Sequence, residues 1–353
     1  MSDVGMENRS RGVELVRDEL GRYLLQYLLF CQGICNESFM LLALMRLHLT
    51  DGSSSDDFYR LNMVELNAEL DAIIDLVNVK LDKLKFKICK VSHPLGKDEV
   101  SSYTKDDIEK LLLAINDDSD EDTLSKDVIL EFASQVQASN KYYVYVNLES
   151  DKETELATTY TVKEIECMKR LIKMMVNNST RPREVDTTVR ANPVFKEIKN
   201  MLSRYERDRG GDTEEEVNVP MWTSYISYQI GSTEAASNMV MTSTETQVFL
   251  NTLCADKWFY RTRNGRYGLD LKGAFELQEY LRDTYELQLC SVCKQIVLQG
   301  ILCNDNTSLA PDKPTTAKCN SWHIDCFHHY ITHISQQCET CGNNLLENLT
   351  YIL

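Results

Sequence analysis

The chain has 353 residues, 43% of them hydrophobic, with 38 basic against 54 acidic side chains and a net charge of −16. Such a length fits two or three domains, and such a charge repels nucleic acid over the surface as a whole, so DNA contact requires a local basic patch or a partner. A membrane span is excluded as well: the most apolar stretch, Tyr23 to Leu49, is interrupted by Gln26, Gln32, Asn36, Glu37 and Arg46.

The first twelve residues carry no apolar run and no secretory signal, and are expected to be disordered. Leu20, Leu24, Tyr27, Leu28 and Cys31 then recur as one helical face. Gly33 is placed to end that helix, and Asn36 to cap a second through Phe39, Leu42, Ala43 and Leu47. A polar loop, Asp51 to Asp57, leads to a third helix carrying Leu66, Leu70, Ile73, Ile74, Val77 and Leu81. Phe86 to Val91 alternates as a half-buried strand, and its partner comes only at Tyr142 to Leu148, after a long stretch rich in Asp, Ser and Lys. Three helices followed by a two-stranded ribbon is the order of a winged helix.

A second copy is expected to follow. Thr161 and Glu164 form a capping box ahead of Ile165, Met168, Ile172 and Met175. Pro193 starts a helix through Phe195, Ile198 and Leu202, and Gly210 to Glu216 reads as a solvated loop. Thr244 and Gln247 are the caps expected for a helix burying Phe249, Leu250, Leu253 and Cys254, which should end at Trp258 and Phe259. Asn264-Gly265, between two short β-like runs, accepts the positive φ angles of a tight hairpin and marks a wing. A helix from Lys272 to Tyr285 leads into the last segment. The predicted class is α+β: a disordered 1–12, a winged-helix domain with an inserted segment over 13–155, a second winged-helix domain over 156–287, and a zinc domain over 288–353.

Seven of the twelve cysteines fall between Cys290 and Cys341. Without an export signal the compartment is reducing, and clustered thiols there point to metal before disulfides. The candidate ligands are Cys290, Cys293, Cys303, Cys319, His323, Cys326, Cys338 and Cys341. Three pairs, Cys290/Cys293, His323/Cys326 and Cys338/Cys341, are separated by two residues, so each can face one metal from a tight turn; Cys303 and Cys319 are fifteen residues apart. Zinc takes four such donors in a tetrahedron, and eight make two closed, structural sites with no position left for a catalytic water. In a RING-like cross-brace, Cys290, Cys293, His323 and Cys326 share one zinc ion, and Cys303, Cys319, Cys338 and Cys341 the other. Consecutive pairing is the rival arrangement, and His328, His329 and His333 are competing donors. The helix-like run Phe327 to Ser335 favours the cross-brace.

No phosphate loop or nucleophile–base pattern is present, so any activity must come from positioning a partner's chemistry. RING domains act in that way, by holding a ubiquitin-conjugating enzyme. Val292, the apolar residue between the first two ligands, either contacts that enzyme or packs inside the module. Glu339-Thr340 and Gly342-Asn343 depart from strong RING ligases, and the four-Cys, His, three-Cys order is shared with PHD fingers, which read histone tails. Lys257, Arg261, Arg263 and Arg266 cluster near the wing and suit DNA phosphates or, in keeping with the acidic total, a protein contact.

Tyr23-Leu-Leu-Gln-Tyr27, Gly33-Ile-Cys-Asn-Glu37, Tyr143-Val-Tyr-Val-Asn-Leu148, Lys257-Trp-Phe-Tyr-Arg-Thr262, Gln299-Gly300 and Trp322-His-Ile-Asp-Cys-Phe327 together resemble the non-SMC element one subunits of the SMC-type DNA-repair complex, in a fungal version. The resemblance covers most of the chain. It implies tandem winged helices and a variant RING with zinc at the eight residues named above. It further implies partnership with a MAGE-like winged-helix subunit, a kleisin and the SMC heterodimer, ubiquitin-ligase activity enhanced by the MAGE-like partner, DNA contact through the complex, and a nuclear, chromosome-associated location. A non-enzymatic scaffold with the zinc module as assembly surface is the alternative.

Overall fold

The computed structural model describes residues 3–50, 63–95, 107, 108, 110, 136, 139–148, 160–180, 182–208, 222–237, 240–303 and 319–353, with the backbone alone described for 3–16, 49, 50 and 188. The predicted loops Asp51–Asp57 and Gly210–Glu216, and most of the segment between the first two long strands, lie outside these residues. The chain forms two compact units, Met1–His93 with Val100–Leu156 and Pro94–Glu99 with Ala157–Leu353. Among the described residues no helix is long and apolar enough to cross a membrane.

The first unit runs α1 (Asp3–Phe30), β1 (Ile34–Asn36), α2 (Glu37–Thr50), α3 (Met63–Leu81), β2 (Phe86–Ser92) and β3 (Lys141–Asn147). Helix α1 includes most of the twelve residues expected to be disordered. Composition alone favours disorder there, but a helix already nucleated by a buried segment extends at little cost per residue. Leu20, Leu24 and Leu28 bury its inner face against Leu66, Leu70 and Ile73 of α3. Gln32 and Gly33 close it with φ of 61° and 77°, and the Gly33 amide donates to the Leu28 carbonyl. Asn36 Oδ1 accepts the Ser38 amide at 2.9 Å, so the predicted cap forms.

The sheet order is β1-β3-β2, antiparallel throughout, with Cys89 opposite Val144 and Cys35 opposite Tyr143. Strand β1 was not expected, since three residues are too few for alternation to register. It matters because α2 starts beside the returning end of the inserted segment. Ser139 Oγ donates to Glu37 at 2.6 Å, and the Asn36 side chain donates to the Ser139 carbonyl at 2.8 Å. Glu37 in turn pairs with Lys90 at 2.6 Å, Lys90 reaches Asp71 at 2.8 Å, and the Tyr143 hydroxyl donates to Asp71 at 2.9 Å. A nearly buried carboxylate is thus compensated by a cation that also ties α3 to the sheet.

The second unit has two cores. One gathers α4 (Val162–Ser179), β6 (Ile230–Gly231), α7 (Ser232–Ser237), α8 (Ser243–Ala255), the hairpin β7 (Phe259–Arg261) and β8 (Arg266–Leu269), and the pair α9 (Leu271–Glu276) and α10 (Gln278–Tyr285). Thr161 and Glu164 form the predicted capping box of α4. Helix α8 is capped two residues earlier than expected, by Thr242 with Glu245, because that pair, and not Thr244 with Gln247, can exchange side-chain and backbone bonds ahead of the first turn. The helix expected over Lys272–Tyr285 is broken at Leu277, whose amide closes α9.

Glu276, half-buried at the end of α9, is pushed up to about 7 from 4.5 by burial, against the pull of Lys272. Its folded value is raised, so the folded state holds this proton while the unfolded state releases it. Stability is therefore lost as pH rises from about 4.5 to about 7 at this site. Glu276→Gln should raise the melting temperature at pH 8 by more than at pH 5.5; an equal gain at both would refute the burial argument.

The other core joins β4 (Arg183–Glu184), α5 (Thr187–Arg190), α6 (Pro193–Asp208) and β5 (Ser224–Ile226) to the C-terminal segment: β9 (Gly300–Cys303), β10 (Ser321–Trp322), α11 (Ile324–His333) and β11 (Leu349–Ile352). Their sheet is ordered β10-β9-β11-β5-β4, with β11 parallel to β5. Phe195 packs on Tyr351 at 4.8 Å, and Trp222 on the same ring at 5.0 Å. The apolar face of α6, expected within a second winged-helix copy, thus packs into the core of the cysteine-rich module.

Candidate metal centre

The eight expected donors come together as two interleaved groups: Cys290, Cys293, His323 and Cys326 in one, and Cys303, Cys319, Cys338 and Cys341 in the other. The donor atoms of each group lie within 4.8 Å of one another. A tetrahedral zinc with sulfurs at about 2.3 Å sets donor–donor edges of about 3.8 Å. Cys293 Sγ stands 3.3 Å from His323 Nδ1, and Cys303 Sγ stands 3.5 Å from Cys341 Sγ. The donors are soft or borderline, four to a site, and no position is left open. Two zinc ions are the cofactors this module is built for, in the cross-brace order and not in consecutive pairs. His328, His329 and His333 enter neither group.

Local structure explains how each pair reaches its metal. In Cys290-x2-Cys293 the Lys294 amide returns to the Cys290 carbonyl at 3.0 Å, and Lys294 has a φ of 60°. In Cys338-x2-Cys341 the Gly342 amide returns to the Cys338 carbonyl at 2.8 Å, and Gly342 has a φ of 73°. Both turns therefore demand a left-handed residue just after the second cysteine. Glycine at 342, a departure from the strong RING ligases, meets that requirement without the strain that Lys294 bears at the equivalent position. His323 caps α11, which places Cys326 on the first turn. Its Nε2 lies 3.0 Å from the Ile296 carbonyl, and that bond leaves Nδ1 for the metal.

Cys319 was the ligand set apart by its long separation from Cys303. Strands β9 and β10 pair antiparallel, Leu302 opposite Ser321, and the Cys303 amide donates to Asn320 at 3.0 Å. The ends of the fifteen-residue gap are thereby held together by the sheet, and loop length adds little further cost.

The donors crowd one another. Hydrogen bonds from Cys293 and Cys326 hold the Cys290 thiol far below its ordinary value, while the contact with Cys290 drives Cys326 far above it. Burial pushes Cys319 up to about 12. Burial pulls His323 down, but Cys290 and Cys293 outweigh it and lift the ring to about 10. Without a cation, a tetrad cannot carry all its thiolates; a divalent ion supplies the missing charge as the protons leave.

The module is braced by the β7–β8 hairpin. The Tyr260 hydroxyl accepts from Gln299 Nε2 at 2.8 Å and from Gln229 Nε2 at 3.0 Å, and both amides are buried. Arg266 donates to the Gln229 carbonyl at 2.8 Å, so this member of the predicted basic cluster is committed within the fold. Arg261 lies over the Tyr267 ring at 5.7 Å, and Lys257, Arg261 and Arg263 are exposed. The turn holds a three-residue loop in which only Gly265 has positive φ, at 72°, while the Asn264 expected to share that geometry does not. Tyr260→Phe would strand two buried amide donors and should cost about 2 kcal/mol. Denaturant unfolding that showed no loss would dismiss this brace. Val292 is half-buried and packs against the zinc-module core.

A family model described as the Nse1 non-SMC component of the SMC5-6 complex matches residues 21–277, and a RING-like domain model matches residues 290–341. The non-structural maintenance of chromosomes element 1 of Saccharomyces cerevisiae is 33% identical over 343 residues, 95% of this chain and 96% of the yeast protein. The element 1 homolog of Xenopus laevis is 33% identical over 67 residues, 18% of this chain and 24% of its own. In solved structures, an Nse1-Nse3-Nse4 complex chain matches with a TM-score of 0.53 at 16% identity, covering 93% of this chain and 96% of that one. The similarity there is one of fold. The near-complete yeast relative and the family match, joined to the two interleaved donor groups, make this chain a member of the Nse1 family of SMC5-6 components, ending in a RING-like domain.

Proposed function

We propose that this chain is the RING-type ubiquitin-ligase subunit of an SMC5-6 chromosome-repair complex, working in the nucleus beside Nse3 (MAGE-like) and Nse4 (kleisin) subunits and the SMC heterodimer. The observation that carries the reading is the pair of closed zinc tetrads, which give the module rigidity without a catalytic water or nucleophile. Such a module contributes by positioning, and the group it would position is a ubiquitin-conjugating enzyme with its thioester-linked ubiquitin. The relatives' partners, named in the similar Nse1-Nse3-Nse4 complex, supply the assembly in which this would occur. The net charge of −16 and the inward bond of Arg266 support DNA contact through the complex over direct binding by the wing. Residues 13–155 and 156–287 are read as two winged helices, the element order of the first unit being the stronger support.

Reconstitution with the Nse3-type partner and a conjugating enzyme tests the proposal. Ubiquitin chains should form, and Val292→Ala should reduce them at least tenfold while two zinc ions remain bound. Chain formation unaffected by Val292→Ala and by loss of zinc would leave the scaffold reading, in which the module serves assembly alone.

A further inference from the structure

Three histidines on α11 lie outside the two zinc groups, and they differ in placement. His328 is half-buried, with Nε2 enclosed by the fold. His329 and His333 are both exposed, one turn apart on the same face, with ring centroids 5.0 Å apart and planes tilted by 45°. Two imidazoles at i and i+4 on a helix can grip one metal ion from the same side, because that spacing brings their side chains together. The helix beneath them is fixed by buried Ile324, Phe327, Tyr330 and Ile331, so the pair is pre-positioned and its rings alone need to adjust.

We propose that His329 and His333 form a third metal site, open where the other two are closed, which takes a late first-row divalent cation such as zinc. Among the described residues no third Cys, His, Asp or Glu donor completes the pair. Two neutral imidazoles therefore supply half of a tetrahedral shell and leave the rest to water or to a donor from another molecule. Imidazole suits zinc, copper and nickel and disfavours calcium and magnesium, which take oxygen donors. With two protein ligands against four, the site fills only after both structural sites are loaded.

The test uses the full chain, loaded with its two structural zinc ions and dialysed against graded free Zn2+. Elemental analysis should show wild type rising from two zinc ions per chain to three. His329→Gln, His333→Gln and the double variant should each stay at two until free Zn2+ is at least tenfold higher, since a chelate needs both rings. Retention of the two structural ions certifies that the variants are folded. In the unmutated protein, histidine-ring NMR signals of both residues should shift together as the third equivalent binds. The site is refuted if wild type stops at two, if the double variant takes the third ion at the same free Zn2+, or if neither ring signal moves.

Discussion

Cys338→Ser should reduce bound zinc from two ions to one or none and should loosen structure more than a hundred residues upstream. A serine hydroxyl cannot replace the thiolate, and the other three donors of that site, Cys303, Cys319 and Cys341, cannot close a tetrahedron without it. Structural zinc contributes on the order of 10 kcal/mol to folding of such modules, comparable with the whole stability of a domain. The consequence spreads because the module shares its core with α6. Trp322, packed on Phe327 and Tyr330, shares one apolar cluster with Phe195, Ile198, Met201 and Leu202 of α6, and β11 completes its sheet on β5. Hydrogen exchange should therefore accelerate over Pro193–Asp208 as well as over Leu349–Ile352, while Met63–Leu81, in the other compact unit, keeps its protection. Retention of two zinc ions, or unchanged exchange in Pro193–Asp208, would contradict this account.

That coupling also marks where the sequence stops being legible. Several local signals carry through to the structure, although the cap of α8 lies two residues before the expected pair. The apolar spacing of Leu66, Leu70, Ile73 and Ile74 gave a helix, Thr161 and Glu164 gave a cap, and the eight Cys and His donors gave two sites. The spacing of Phe195, Ile198 and Leu202 likewise says that one face of α6 is buried. Nothing in a 3.6-residue period says against what, and here the answer is α11 and β11, far along the chain. The parallel contact of β11 with β5 leaves no pattern either, since each strand is short and its neighbour is set by tertiary packing. Arg266 was read as one of four surface cations because charge is visible in sequence and a bond to the Gln229 carbonyl is not. Gly342 reads in sequence as a departure from strong RING ligases, yet its φ of 73° repeats the geometry of Lys294 in the first cysteine pair.

Gly300→Ala is the largest effect expected from adding a single methyl group. Gly300 opens β9 with a φ of 145°, a region L-residues rarely enter. A Cβ built there falls 2.2 Å from the carbonyl oxygen of Trp322 and 3.2 Å from the His323 Cα. Both are backbone atoms of the β10 segment that delivers a zinc ligand, so no side-chain rotation relieves the contact. The dihedral alone costs about 1–3 kcal/mol, and forcing β10 away from β9 would break the pairing of Ile301 with Trp322 and move His323 relative to Cys290 and Cys293. The sum should exceed about 4 kcal/mol, in the range reserved for disrupted cores. The sign of zinc dependence distinguishes this from ordinary destabilisation. The first site, which holds His323, should lose affinity before the second, so a chelator titration should become clearly biphasic in the variant. Equal loss from both sites, or a variant as stable as wild type, would show that the close approach of Gly300 to Trp322 does not position the zinc ligand.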